Sequence, residues 1–323
     1  MVKVSVILPV FNSEDYVQKS IESVLAQSFT DFELIIVNDG STDNTFNIIN
    51  SFDDERIRLI NQSNQGPGAA RNNAMEIAKG DYIMFLDADD WFCRDALKIA
   101  HAEITKYNAD LTFFKMINYD GEKYYKNDWF EMKTLDNFED RVFSPSETPG
   151  SIFDLSVGVC QKIYNREFLL RINARFPEGI FFEDMPFFYY VYLKAEMISI
   201  IKKHLYVRRK HTKSITNVVD EKFFDTVAAG QILMEIFIKN GWYDIYKFDL
   251  LAYKINGPRF ALRDMPLKHK HHMFDLIKKD YEAIKRSPYY DDFLTQLGRV
   301  KKKFFLDVLS AADYDEFAGI SDD

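Results

Sequence analysis

Glycine and proline are scarce, at 13 and 9 of 323 residues, which excludes collagen-like repeats and low-complexity linkers. Two cysteines, Cys93 and Cys160, cannot make a disulfide framework and read as ordinary thiols of a reducing compartment. Long apolar runs are missing as well: no charge-free stretch approaches the roughly 18 residues that a membrane span needs. The opening run Val4–Val10 is broken by Ser5 and Pro9 and carries no small-residue cleavage site, so it does not read as a secretory signal, and the expectation is a cytoplasmic protein. There is no excess of basic charge either. The net charge of −9, from 41 Lys+Arg against 50 Asp+Glu, argues against nucleic acid as a dedicated partner. What the chain does have is 47% hydrophobic residues, enough for a sizeable core.

Through the first 120 residues, apolar runs with strand character alternate with amphipathic stretches. Strands are predicted at Val2–Pro9, Phe32–Asn38, Ile57–Asn61, Tyr82–Leu86 and Leu111–Ile117. Helices are predicted at about Glu14–Ala26, with Asn12 or Ser13 as N-cap, at Asn44–Ser51, from a glycine-bearing loop (Asn64–Gly68) to about Ala78, and at Asp95–Tyr107. Phe32–Asn38 is apolar throughout, the pattern of a parallel strand covered on both faces. Such alternation means an α/β fold. In open sheets of this kind ligands bind beyond the carboxyl ends of the strands, which directs attention to Pro9–Glu14, Asn38–Asp43, Asn61–Arg71 and Asp87–Trp91. Asp120–Pro149 is polar and aromatic without periodicity and reads as an excursion. Short apolar segments return over Ser151–Thr216, and the last hundred residues read as helical, with Ala229, Ile232, Leu233, Ile236 and Phe237 forming one stripe.

The acids concentrate at those strand ends. Asp87-Ala88-Asp89-Asp90 follows an apolar strand directly, and two carboxylates separated by one small residue can face a common Mg²⁺ or Mn²⁺. A helix N-cap with an acidic first turn is the competing reading for Asp89 or Asp90. Asp39-Gly40-Ser41-Thr42-Asp43 is a tight turn with Gly40 at positive φ and Thr42 or Asp43 capping the next helix, and Asp39 stands where a carboxylate could accept an N–H from a base ring. Gly66-Pro67-Gly68-Ala69-Ala70-Arg71 has the small residues and the cation of an anion-binding loop, without the endings of a Walker loop or a dinucleotide fingerprint. Further on, Pro186 suits the first turn of a helix whose N-terminus would carry Glu183 and Asp184.

Taken together, Val6-Ile7-Leu8-Pro9-Val10-Phe11-Asn12, Val37-Asn38-Asp39-Gly40-Ser41-Thr42-Asp43, Gly68-Ala69-Ala70-Arg71-Asn72 and Phe85-Leu86-Asp87-Ala88-Asp89-Asp90 strongly resemble the family 2 glycosyltransferases with the GT-A fold. The resemblance is dense over about residues 1–118 and resumes at Phe182-Glu183-Asp184-Met185 and at Tyr206–Thr216. It implies a Rossmann-like, mostly parallel mixed sheet flanked by helices. It also implies an inverting transferase that takes a nucleotide-diphosphate sugar, most often a UDP-sugar, with Mn²⁺ or Mg²⁺ as cofactor. Carried over position by position, Pro9, Phe11 and Glu14 would line the nucleoside pocket and Asp39 would bind the base. Arg71 would approach the nucleotide, Asp87 and Ala88 would lie against the ribose or donor sugar, and Asp89 would ligate the metal. Asp184, in the Glu183-Asp184 pair, matches the family's general base, and His211 in Arg208-Arg209-Lys210-His211-Thr212-Lys213 is the candidate for a further metal or phosphate contact.

The chemistry of these roles is coherent. A nucleoside diphosphate leaving group builds negative charge that a cation can offset. The acceptor hydroxyl loses a proton as it attacks, and a carboxylate beside an apolar run such as Phe181-Phe182 has its pKa raised toward neutrality by desolvation. The resulting division is a donor-binding half (residues 1–118), an acceptor-binding half with the base (119–219) and a helical region (220–323). The acceptor would be a glycan or lipid-linked saccharide of bacterial surface polysaccharide synthesis. Lys278–Arg286 and Arg299–Phe305, which mix cations with aromatics, are where peripheral membrane contact would fall. Lys268-His269-Lys270-His271-His272 reads as a solvated loop rather than a metal site, and the acidic tail Asp313–Asp323 as frayed. Two alternatives remain: a nucleotidyltransferase, which would release pyrophosphate, and a non-catalytic nucleotide-sugar-binding protein of the same fold.

Overall fold

The computed structural model describes residues 2–148, 150, 152–211 and 218–321. The end of the basic run, Thr212 and Lys213, and the last part of the resemblance up to Thr216 lie outside the described residues. The chain divides into two compact units, one of residues 1–179 with 183–212 and one of residues 180–182 with 213–323.

The first unit opens with strand β1 (Val4–Val10), helix α1 (Val17–Leu25), β2 (Phe32–Asp39), α2 (Thr45–Asn50), β3 (Ile57–Gln62), α3 (Gly66–Ile77) and β4 (Tyr82–Phe85). Short β5 (Trp91–Phe92), α4 (Ala96–Tyr107) and β6 (Leu111–Tyr119) follow, then β7 (Tyr124–Tyr125) and α5 (Asp128–Glu131). After several 3₁₀ turns come β8 (Lys162–Asn165), α6 (Arg166–Arg171), α7 (Asp184–Lys194) and β9 (Ile198–Arg209). Among the described residues the strands form a nine-stranded sheet of order β3-β2-β1-β4-β8-β6-β9-β5, with β7 paired to β6. The block β3-β2-β1-β4 is parallel throughout, β8 runs antiparallel to both β4 and β6, and β6 and β9 are parallel again. The α/β class and mixed sheet expected from the sequence are present.

All eight residues of β2 are buried, as a strand covered on both faces requires. Its one internal acid, Glu33, is accommodated by the Ser5 hydroxyl (2.6 Å) and Arg58 (3.0 Å). α3 packs on β1 and β2, and α4 on β6, β8 and β9. The sequence places most boundaries within a few residues, with informative departures. α1 begins at Val17 after Tyr16, not after Asn12 or Ser13, because Asn12 adopts φ +46° and turns its amide oxygen to the Thr42 N–H (2.8 Å) across the sheet edge. α3 starts at Gly66, inside the segment read as a loop. The excursion over 120–148 contains β7, α5 and 3₁₀ turns, anchored by His204 bonding Glu131 (2.6 Å).

The second unit is helical, as expected, and comprises α8 (Asp225–Lys239), α9 (Tyr243–Asp264), α10 (Leu267–Lys285), α11 (Tyr290–Gln296), α12 (Arg299–Ser310) and α13 (Tyr314–Ser321). The His-rich run at 268–272 is the start of α10 rather than a loop, and the tail is helical through 314–321 rather than frayed. A buried pair, Lys254 with Asp280 (2.9 Å), joins α9 to α10. Residues 180–182 attach to this unit through the Phe181 N–H, which donates to Asp225 (2.9 Å), and the Phe182 ring, which meets Phe223 edge-on. Among the described residues no helix is long and apolar enough to cross a membrane.

Candidate active site

The parallel block delivers the predicted segments to one rim. Beyond β1, the backbone turns at Asn12, leaving Phe11 46% exposed and Pro9 partly buried. Glu14 accepts from the Asn44 N–H (2.9 Å), while Asp43 accepts from the N–H groups of Glu14 (3.2 Å) and Thr45 (3.0 Å). The loops after β1 and β2 are therefore stitched together by carboxylates acting on orphan N–H groups. Gly40, at φ +74°, permits the turn, and a Cβ there would stand 2.8 Å from the Asn64 nitrogen.

Asp39, the last residue of β2, is buried and directed at the start of α3. Its Oδ1 accepts from Gln62 (2.8 Å) and the Gln65 N–H (2.8 Å), its Oδ2 from the Gly66 N–H (2.9 Å). These bonds leave Oδ2 with capacity for one further donor.

Arg71 is buried within α3 and donates to two acids, Glu183 and, at 2.9 Å, Asp87. This differs from the expected approach to nucleotide: the guanidinium is committed to carboxylates, and their field holds it protonated against the cost of burial. Gly68 makes the arrangement possible, since a Cβ there would fall 2.2 Å from the Pro177 carbonyl oxygen and 3.3 Å from Glu183 Cγ. Arg71 thus links the rim after β4 to the first turn of α7. Phe182, just before that helix, holds φ +65°, a conformation that costs an aromatic residue free energy and clusters at functional sites.

The Asp87–Asp90 loop assigns a different environment to each acid. The Asp87 side chain is 43% exposed beyond its Arg71 contact. Ala88 and Asp90 offer their carbonyls to Ser20 on α1 (2.8 and 2.6 Å). Asp89 Oδ2 lies 2.8 Å from His211 Nε2; burial and then the neighbouring Asp87 raise its pKa, with His211 opposing. Asp90 is buried, accepts from the Tyr206 hydroxyl (2.7 Å) and the Arg209 N–H (2.7 Å), and is pushed well above the usual carboxylate range by desolvation. Neither Asp89 nor Asp90 caps a helix: α4 begins later, after Asp95.

Asp184, at the start of α7, is pushed up to about 7, chiefly by burial and then by Glu183, with Arg71 opposing. Sequence reasoning missed several partners. The Tyr16 ring lies tilted against His211, centroids 4.5 Å apart, and the Arg209 guanidinium sits over the rings of Tyr16 (5.2 Å) and Trp91 (4.9 Å) while bonding the Asp89 carbonyl. Tyr206 stands in the sequence only as the first residue of the stretch where the resemblance resumes, with no role of its own, while Arg209 belongs to a basic run whose cations mark a surface suited to anions. Among the described residues no three His, Cys, Asp or Glu side chains gather to close a metal cage.

Comparison with known proteins bears on the fold and the family. Residues 5–161 match the family model described as Glycosyl transferase family 2. The glycosyltransferase GlyA of Streptococcus pneumoniae is 29% identical over 254 residues, covering 76% of this chain and 36% of its own length. TarS of Staphylococcus aureus, a poly(ribitol-phosphate) β-N-acetylglucosaminyltransferase, is 29% identical over 241 residues, covering 70% of this chain and 39% of its own. The chain thus spans little more than a third of the length of these relatives. The crystal structure of TarS residues 1–349 superposes with a TM-score of 0.70 at 22% identity, over 98% of this chain and 89% of that one, and TarS has also been solved with UDP-GlcNAc. The mannosyltransferase PcManGT of Pyrobaculum calidifontis, solved with GDP-Man and Mn²⁺, superposes at 0.51 and 15% identity over 91% of this chain and 84% of that one. These likenesses agree on the GT-A fold, and through residues 5–161 the chain belongs to glycosyl transferase family 2.

Proposed function

We propose that the protein transfers a sugar, with inversion, from a UDP-sugar to a hydroxyl of a glycan or lipid-linked acceptor in surface polysaccharide synthesis, with Mn²⁺ or Mg²⁺ as cofactor. The observation that carries this reading is the ion-paired bridge Asp87–Arg71–Glu183, which joins the strand-end rim to the helix start that bears Asp184. The UDP-GlcNAc bound by TarS supports the donor class, and the poly(ribitol-phosphate) acceptor in the name of TarS supports the setting.

Asp184 would accept the acceptor's proton. A carboxyl poised near neutrality combines a useful ionised fraction with a strong drive to take a proton. Pro9, Phe11 and Glu14 would line the nucleoside site, Asp39 Oδ2 would accept from the base, and Asp87 with Ala88 would lie against the ribose or donor sugar. Asp89 and His211 suit a cation: a carboxylate oxygen and an imidazole nitrogen 2.8 Å apart are a donor pair that leaves most positions to phosphate oxygens and water. Bound there, the cation would offset the charge that the diphosphate gains on leaving. Arg71 acts indirectly, holding the carboxylates of Glu183 and Asp87 in place. A lipid-linked acceptor would bring the protein to a membrane surface, and 278–286 and 299–305 are the stretches proposed to meet it.

A nucleotidyltransferase fits less well, because the loop after β1 offers Phe11 and Asn12 where a glycine-, Arg- and Lys-bearing loop would grip a triphosphate. The test is a single-turnover assay with labelled UDP-sugars in Mn²⁺, alongside thermal shift for donor binding. Asp184→Asn is expected to keep the donor-induced rise in melting temperature and to lose transfer. Release of pyrophosphate, or transfer by Asp184→Asn at the wild-type rate, would overturn the reading.

A further inference from the structure

Lys162 is the one charged side chain among the described residues of the central strands β4, β8 and β6 that is fully buried, at 0% exposure. It sits on β8, opposite Phe113 of β6. Its ammonium donates to the carbonyls of Ser156 (2.9 Å) and Gly158 (2.6 Å) and lies over the rings of Phe113 (4.9 Å) and Phe188 (4.5 Å). Among the described residues no carboxylate stands within ion-pair distance of it, so the cation is held by dipoles and π-faces alone. That is an expensive way to keep a structural lysine, and an aliphatic side chain would fill the space at lower cost.

Its surroundings point to a purpose. Phe188 lies one helical turn beyond Asp184 on α7, on the same face. The titratable groups that reach Lys162 are Asp184 and Cys160, and Cys160 is a buried thiol kept neutral by desolvation. Those that reach Asp184 are Glu183, Arg71, Asp87 and Lys162. Arg71 is engaged directly by Glu183 and Asp87, which leaves Lys162 as the cation with no acid of its own.

Resting on the reading of Asp184 as general base, we propose that Lys162 is a positioning residue for that base: its buried cation pins the first turns of α7 through Phe188 and stabilises the ionised form of Asp184. Burial lowers the Lys162 pKa to about 7 while Asp184 raises it, so each group favours the charged form of the other, and the coupling is reciprocal.

The test compares the pH dependence of kcat/KM in wild type, Lys162→Met and Asp184→Asn, with melting temperature as a control. Methionine preserves the stem's length and apolar packing and removes the charge. The expected result for Lys162→Met is an acidic limb displaced to higher pH, giving about a tenfold loss near pH 7 that is largely recovered by pH 9, with the donor KM unchanged. A loss of the same size at every pH, or an unmoved midpoint, would overturn the proposal. Should Lys162→Met not fold, the ¹³Cε resonance of Lys162 supplies the reciprocal measurement: its titration midpoint is expected to fall in Asp184→Asn relative to wild type, and an unchanged midpoint contradicts the coupling. An inactive Asp184→Asn with an unmoved Lys162→Met midpoint removes only this inference, whereas a fully active Asp184→Asn removes the base assignment and this one with it.

Discussion

Two stretches of the same rim use carboxylates in opposite ways. After β1 and β2, Glu14, Asp39 and Asp43 bond backbone N–H groups that start the neighbouring helices. Burial would raise Asp43, yet the bonds from Thr45 and Glu14 outweigh it and hold it below the ordinary range. After β4 and at the head of α7 the acids face one another, and desolvation lifts Asp89, Asp90 and Asp184. The first region uses charge to build the edge. The second stores charge where a cation or a proton can relieve it, as catalytic sites do.

The contrast can be broken by mutation, and the largest effect belongs to Asp184. Asp184→Asn should lower the single-turnover rate by about 10²–10⁴-fold while UDP-sugar still raises the melting temperature. In wild type the rate should climb as pH rises through about 7, the value to which Asp184 is displaced. Because its folded pKa lies above the ordinary 3.8, stability from this group is complete below about pH 4 and declines as pH rises through 7. Asp184→Asn should therefore flatten that decline in a pH series of melting curves.

Arg71→Met comes next. It leaves Glu183 buried without its partner and should cost about 3–5 kcal/mol in urea unfolding; a loss under about 1 kcal/mol would mean that the bridge is not what joins the two segments. In the first region Asp43→Ala removes a helix-start acceptor and should cost about 0.5–2 kcal/mol, with transfer retained per folded molecule. Smallest of all, Phe11→Ala at an exposed position should change stability by no more than about 0.5 kcal/mol, and its effect should appear in UDP-sugar affinity alone.

How legible each region is follows the same division. Bonds of the first region span about thirty residues, as from Asn12 to Thr42 and Glu14 to Asn44, and the turn at Gly40 and the buried strand β2 are written in local composition. The start of α1 departs from local composition because Asn12 spends its side chain across the rim rather than on the helix that follows. The second region joins residues more than a hundred apart: Arg71 with Glu183, Asp90 with Tyr206, Asp89 with His211. No periodicity encodes such pairs. The acids themselves stood out by position, whereas Tyr206, Tyr16 and Lys162 are ordinary members of their segments until the sheet assembles. The His-rich start of α10 is illegible for a different reason: its lysines and histidines suit an exposed helical turn as well as a loop, and composition does not separate the two.

The most direct test of a rim that grips a diphosphate through a cation is calorimetric titration of UDP-GlcNAc into wild type and Asp89→Ala, each with Mn²⁺ and with EDTA. The expected result is affinity in wild type that falls at least about tenfold, or about 1.4 kcal/mol, with EDTA, and an Asp89→Ala protein that binds weakly under both conditions. Equal affinity in all four titrations would contradict it.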